Sequence, residues 1–238
     1  MDENTVSKAL DYRRSVTIYD ENKKIDSKIV AKCIKQASLS PSSDNLQLWE
    51  FYHITSKEKL KEISICCLNQ PAARTSLEIV IPVLRNDLWK KRANSNITFL
   101  KNNSKPNQSN KSKPWDYYLE DIPKVYNDNI KFYGFIKYIY ISIKGLFKPI
   151  HRQVTYVDKR IRGHKSVALA AQTFMISMSG YGYDTCPMEG FDSKMIKKAL
   201  NLPRESEISM VIGCGIRAKN GVYGPRFRVP FDQIYVKK

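Results

Sequence analysis

Four separated segments carry side chains suited to one kind of chemistry, the gripping of a phosphate and of a flat heterocycle. Arg13-Arg14-Ser15 sets two guanidiniums and a hydroxyl side by side, near a helix end. Such a fork suits bidentate phosphate binding. The run Pro41-Ser42-Ser43-Asp44-Asn45-Leu46-Gln47-Leu48-Trp49 offers hydroxyls and amides in a loop, partners for a uracil-like edge with little added charge. In Cys186-Pro187-Met188-Glu189-Gly190, the glycine lets the main chain approach a ring closely and donate an N–H to a ring nitrogen. In Arg226-Phe227-Arg228, alternation along an extended segment turns both arginines to one side. Each segment also has a plain structural reading: solvated arginines, ordinary Pro/Ser/Asn turn chemistry, or a loop leading into a helix. Their order and spacing together carry the inference.

Composition sets the frame for this chemistry. The 238 residues suffice for one sizeable core and are few for two independent domains. With 42% hydrophobic residues, the chain reads as a folded globule. The start, MDENTVSKAL, has no apolar run behind a basic head, so no secretory leader and a cytoplasmic location are expected. Five cysteines lack CxxC spacing and no histidine lies at ligand distance, so a reducing compartment and no structural metal are expected. The net charge of +17 raises nucleic acid as a partner. The lysines are spread along the whole chain, as in KNNSKPNQSNKSK, and not gathered on one helix or tail. Anionic cofactors, nucleotides or a membrane surface fit that spread better, and nucleic acid is not the expected partner.

These segments need elements to position them. Ile29, Val30, Cys33, Ile34 and Ala37 recur at helical spacing after Asp26 and Ser27 and must stop before Pro41. EFYHI reads as a short strand, followed by a helix from near Ser56. Glu78 to Leu84 reads as a buried strand, placed near an edge or an end by Pro82. Residues 86–155 look like an insertion. They hold a polar loop at 101–113 and an amphipathic helix over 131–148, its apolar stripe formed by Phe132, Phe135, Ile136, Ile139, Tyr140, Ile143, Leu146 and Phe147. That stripe packs on the protein's own core or on a partner subunit, or lies in a membrane interface. Lysines interrupt it too often for a transmembrane span. Val167 to Met178 reads as a central buried helix, and GYGYDTCPMEGFD as a turn-rich loop. Asp192 caps a short helix through Leu200, Ile208 to Cys214 is a buried strand, and the tail is extended.

Taken in order, YRRSVTIYD, SPSSDNLQLW, GYGYDTCPMEGFD with its following helix, ISMVIGCG and RFRVP resemble the FMN-dependent nitroreductase family. The resemblance covers nearly the whole chain outside 86–155. It implies an α+β fold, a mixed and mostly antiparallel central sheet flanked by helices, in an intertwined homodimer. It implies that Arg13, Arg14, Ser15, Arg226 and Arg228 meet the FMN phosphate and ribityl chain. Pro41, Ser42, Ser43, Asn45 and Gln47 then approach the flavin from the other subunit. Asn69, with Gln70 beside it, falls near the pyrimidine edge, and Pro187, Met188, Glu189 and Gly190 bring main-chain N–H groups near N5. Two positions depart from the family pattern. Thr17 stands where many members have a basic residue beside the flavin, a role open to Lys165 or Arg74, and Leu48 replaces the proline after Gln47. The implied activity is hydride transfer from NADH or NADPH through the flavin to a small acceptor, such as a nitro compound or quinone. No catalytic side chain is then required of the protein. The insertion, with Tyr117, Tyr118, Tyr126 and Tyr133, is expected to cover the flavin pocket. Two other readings stay open: a flavin-binding or storage protein without turnover, and a basic protein of the membrane surface.

Overall fold

In a computed structural model, residues 3–104, 113–126 and 139–238 are described. The core is a five-stranded sheet in which β1 (Trp49–Ile54), β2 (Glu78–Leu84), β5 (Val211–Gly215) and β3 (Asp184–Met188) follow one another across the sheet. The short β4 (Glu207–Ile208) also pairs with β2, and every pairing is antiparallel. All seven residues of β2 are buried, because both its edges are paired and both its faces are covered.

Alternation along β2 divides the core. Ile79, Ile81 and Val83 face a cluster with Ile63, Cys66 and Ala72, on α3 (Lys57–Cys66) and α4 (Pro71–Arg74). Val80 faces Val30, Cys33, Phe174 and Met178, on α2 (Ser27–Ala37) and a 25-residue helix, Tyr156–Gly180. Helices therefore cover both faces, as an α+β protein with an open antiparallel sheet requires. The start of α2 is pinned to the sheet by Glu78, whose carboxylate accepts from the Ser27 hydroxyl and lies 2.6 Å from His53 Nε2.

The locally coded elements form as expected. Asp26 accepts from Lys28 N at the start of α2, and Ser56 accepts from Lys59 N at the start of α3. Asp192 accepts from Lys194 N and Met195 N ahead of the short helix Ser193–Ala199. Each satisfies an orphan N–H of a first turn.

Other expectations are corrected. Pro82 lies in the middle of a central strand and not near an edge or end of the sheet. Its carbonyl accepts from Ser209 N, so its nitrogen faces the same side, where β4 has ended and β5 has not begun. A missing N–H costs nothing at that break. For the same reason the strand expected over Ile208 to Cys214 is split into β4 and β5. The stretch read as a turn-rich loop contains β3, which exists because β5 supplies its ladder. The helix expected from Val167 starts eleven residues earlier, at Tyr156, where Thr155 and Asp158 form a reciprocal capping box. Within the insertion, Trp89–Asn103 is helical and takes in the first residues of the expected polar loop.

The apolar stripe is only partly within the described residues, since 127–138, with Phe132, Phe135 and Ile136, lie outside them. Of the rest, Ile139, Tyr140, Ile143, Leu146 and Phe147 are exposed, Phe147 to 84%, and the buried residue here is Ile141. These side chains do not pack on the protein's own core. No helix among the described residues is long and apolar enough to cross a membrane.

Phe174, fully buried between α2 and the sheet, is the largest apolar side chain of its cluster. Phe174→Ala is expected to lower unfolding free energy by about 3–5 kcal/mol, measured as a shift in the urea midpoint at unchanged slope.

Candidate functional site

The first candidate segment lies at the end of α1 (Glu3–Tyr12), against the edge strand β3. Ser15 bridges Thr185, and Val16 N donates to Thr185 O at 3.2 Å. What holds this junction is a buried ion pair. Asp184, whose side chain has no exposed surface, accepts from Arg217 N at 2.7 Å and from Arg217 Nε at 2.9 Å. Arg217 Nη2 also donates to Tyr12 O at 3.0 Å, and its guanidinium stacks on the Tyr12 ring at 4.5 Å. One arginine thus couples β5, β3 and the end of α1.

The tail closes the same junction from the other side. Arg226 Nη2 donates to Asp11 O at 2.6 Å and to Arg13 O at 2.7 Å, taking up free carbonyls at the C-terminus of α1. Arg14 Nη2 donates to Gly224 O at 2.8 Å, and Arg228 Nη1 donates to Phe227 O. Arg13 is left at the centre. Burial, followed by repulsion from Arg226, Arg228 and Arg14, pushes its guanidinium below the ordinary arginine range. Among the described residues, the one carboxylate paired with the cluster is the well-exposed Asp11, 3.9 Å from Arg226. Crowding four cations with so little compensation is unfavourable until an anion arrives. This is the arrangement a phosphate would relieve.

From Cys186, beside Arg13, β3 runs to Met188, and Glu189 and Gly190 follow it. Pro187 lies on the sheet edge, where its lack of an N–H is harmless, and Met188 is buried in the core, so only its main chain is available to a ligand. Gly190 is held by Gln70, whose Nε2 donates to Gly190 O at 2.5 Å; a Cβ there would lie 3.1 Å from that nitrogen. Gln70, the neighbour of Asn69, is therefore a side chain that reaches this loop. Asn69 is among the residues that line a cavity with Arg74.

The serine-rich loop is built as a rigid unit. Asp44, Asn45 and Gln47 all have positive φ, a conformation that Asn and Asp tolerate best. Ser42 Oγ accepts from Gln47 N at 3.0 Å, Ser43 N donates to Ser166 Oγ, and Asn45 and Asn96 exchange hydrogen bonds. Tyr117 and Tyr118 donate to Asp44 from the insertion. Tyr126 stacks on Trp89 instead, and Tyr133 lies outside the described residues. Pro41 is exposed beside this network. No hydrogen bond joins the loop to the arginine cluster among the described residues. Within one chain, the structure brings Arg13, Arg14, Ser15, Arg226 and Arg228 together at the edge of β3, the strand that leads to Glu189 and Gly190, and leaves Pro41 to Gln47 apart.

The two departures have local explanations. Thr17 is used in pairing, its N–H and hydroxyl both directed at Gly221 O, at 2.9 and 3.4 Å. Leu48 is buried with Leu46, Trp49 and Leu84, and its carbonyl accepts from Arg85 N. Of the cations that could replace a basic residue at 17, Lys165 lines a cavity of about 470 Å³ together with Glu189, while Arg74 is in the Asn69 cavity. All five cysteines are free and buried, and burial pushes Cys67 up to about 12, so none is poised as a nucleophile.

The antiparallel sheet with helices on both faces, and the arginine cluster at its β3 edge, define an α+β protein with a candidate anion site at that edge. The sequence model of the nitroreductase family matches residues 10–216, and the chain belongs to that family. It is 26% identical over 224 residues to YdgI of Bacillus subtilis, named an NAD(P)H nitroreductase, covering 93% of this chain and 92% of that one. MhqN of the same organism is 37% identical over 76 residues, a match spanning 32% of this chain and 36% of MhqN. Among solved structures, ydfN of B. subtilis, described as a nitroreductase, superposes with a TM-score of 0.76 at 19% identity, covering 98% of each chain. A protein of Exiguobacterium sibiricum, described as a nitroreductase in complex with FMN, gives a TM-score of 0.68 at 20% identity over 98% of this chain and 97% of that one. At such identities the structural likeness establishes the fold.

Removing Arg217 would leave Asp184 buried without its counter-charge. Arg217→Ala is expected to cost about 3 kcal/mol or more in unfolding free energy, read by denaturant titration. Arg204→Ala, at an exposed position, serves as the control and should change little.

Proposed function

We propose that the chain is an FMN-dependent oxidoreductase that takes hydride from NADH or NADPH and delivers reducing equivalents to a small electron-poor acceptor, such as a nitro compound or quinone. The observation that carries this reading is Arg13, ringed by Arg14, Arg226 and Arg228 at one end of β3, with the Glu189–Gly190 main chain at the other. The relatives support it: one is named an NAD(P)H nitroreductase, and another of the same fold is described in complex with FMN.

Bound FMN would supply the hydride chemistry between the nicotinamide and the acceptor. The chain's own residues bind and orient. Arg13 and Arg228 hold the phosphate, while Arg226 and Arg14 hold the backbone that carries Arg13. Ser15, exposed next to them, donates its hydroxyl to the same end of the ligand. Gly190 offers its N–H where no side chain obstructs it, with its position set by Gln70. Lys165, in the cavity beside Glu189, supplies the positive charge that Thr17 cannot. Stabilising a developing anion with a fixed cation follows the logic of an oxyanion hole.

The working unit is a homodimer, in which the Pro41–Gln47 loop of each chain approaches the flavin held by the other. Two features support this. The loop is preorganised yet apart from its own chain's arginine cluster, and the tail exposes Phe227, Phe231, Ile234, Tyr235 and Val236 in a single chain. Apolar surface of that extent calls for a partner. Tyr117 and Tyr118 make the insertion part of the pocket wall, so its sequence shapes acceptor choice.

The purified protein is expected to show the absorbance bands of oxidised flavin and to oxidise NADH or NADPH steadily with a quinone acceptor. Arg13→Ala is expected to weaken FMN binding by about 1–3 kcal/mol, measured by titrating the apoprotein; unchanged affinity would remove the phosphate assignment. A chain ending at Val229 keeps all the arginines and is expected to run as a monomer in light scattering. A persistent dimer would exclude the tail as the clasp between subunits.

A further inference from the structure

A second cavity, of about 690 Å³, lies across the Asn69–Gln70 turn from Gly190. Lys57 and Lys61, one turn apart on α3 and so on one face of it, line this cavity together with Arg74 of α4. None of the three has an ion-pair or hydrogen-bond partner among the described residues. Lys59, on the same helix but outside the cavity, is by contrast tied to Glu62 at 2.7 Å and to Ala199 O at 3.0 Å. Among the described residues, Glu21 is the single carboxylate in the lining. The wall also holds Ser64, only 5% exposed, whose hydroxyl has no hydrogen-bond partner among them, an uncommon state for a buried polar group.

The lining carries three exposed cations against one carboxylate, a charge suited to a phosphate. Three free cations select a group with more than one negative charge, and the volume is in the range of small-ligand pockets. Asn69 also lines this space, and the Glu21 carboxylate can accept from an adenine amino group or a ribose hydroxyl. Its position matters as much as its charge. Gln70, next to Asn69, holds Gly190, and Thr75 in the lining accepts from Tyr19 N, on the segment that follows Ser15. The cavity is therefore linked through Gln70 to the Gly190 loop and through Thr75 to the N-terminal segment.

We propose that this cavity receives the phosphorylated adenosine end of the reduced dinucleotide, and that Lys57, Lys61 and Arg74 give the enzyme a preference for NADPH over NADH. The proposal rests on the oxidoreductase reading above and adds to it the dinucleotide that this enzyme uses. The 2′-phosphate of NADPH supplies the extra charge that an otherwise uncompensated cluster favours.

The probe is 2′,5′-ADP, titrated calorimetrically into the FMN-loaded protein, with 5′-AMP and inorganic phosphate in parallel. Binding of 2′,5′-ADP at least tenfold tighter than either is expected, with at least a tenfold loss in the double variant Lys57→Ala, Lys61→Ala. In steady-state assays the ratio of kcat/KM for NADPH to that for NADH should exceed one and fall by a similar factor in the double variant. A yellow, active enzyme that uses both dinucleotides equally and ignores 2′,5′-ADP overturns this proposal while leaving the flavin reading intact. Equal binding of 2′,5′-ADP and inorganic phosphate also overturns it, since the cavity would then be a simple anion site. A colourless protein that takes up no FMN overturns the flavin reading instead.

Discussion

A carboxylate with no exposed surface cannot remain charged inside a protein unless a partner is brought to it, and the partner that reaches Asp184 is Arg217. Asp184 sits at the start of the edge strand, while Arg217 leaves the end of its neighbour, so their pairing fixes where the two strands part. The same guanidinium reaches the Tyr12 carbonyl and ring, which settles where the first helix ends. Arg13 and Arg14 follow within two residues. The geometry of the cationic edge is thus set by an ion pair that need not touch the ligand. This also explains how arginines can be crowded together with so little acidic compensation: their backbone is anchored by a different arginine, one fully engaged with a buried acid. Arg226 repeats the device from the tail by holding the Asp11 and Arg13 carbonyls.

How much of this could be read from the residues depends on the range over which each element is coded. The α2 helix was legible from Asp26 and the spacing of Val30, Cys33 and Ala37, because cap and stripe lie within eleven residues of one another. The central strand was legible as buried, but not as central, because Pro82 argues for an edge unless one knows that two other strands meet opposite it. The edge strand at Asp184 was not legible, since Gly, Tyr, Asp and Pro all read as turn and its ladder comes from β5, more than twenty residues further on. The early start of the long helix did have a signal, Thr155 followed three residues later by Asp158, which the charged first turns beyond it obscured. Trp89–Asn103 had almost none, since it buries only Ala93 and Ile97.

The candidate site divides in the same way. Arg13, Arg14, Glu189, Gly190, Arg226 and Arg228 could be picked out by residue type, and the fold brings them to one edge. The contact of Gln70 with Gly190 could not be placed, because it depends on the positive φ of Leu68 and Asn69, which turns the chain sharply there. The serine-rich loop was recognisable, but its side chains prove largely committed to holding one another. What such a loop presents to a ligand is a fixed shape more than a set of free donors, a form of preorganisation that lowers the entropy lost on binding.

The interruption opposite Pro82 also bears on how the chain finds its alignment. Register is normally enforced by alternation of apolar and polar side chains, and a strand buried on both faces lacks that contrast. Here a sliding pair would bring a donor-less nitrogen opposite a carbonyl that needs one, and only the native alignment sets that nitrogen against the gap between β4 and β5. The proline acts as a ratchet tooth, letting the last strands of the sheet dock in one position along the central strand and in no other.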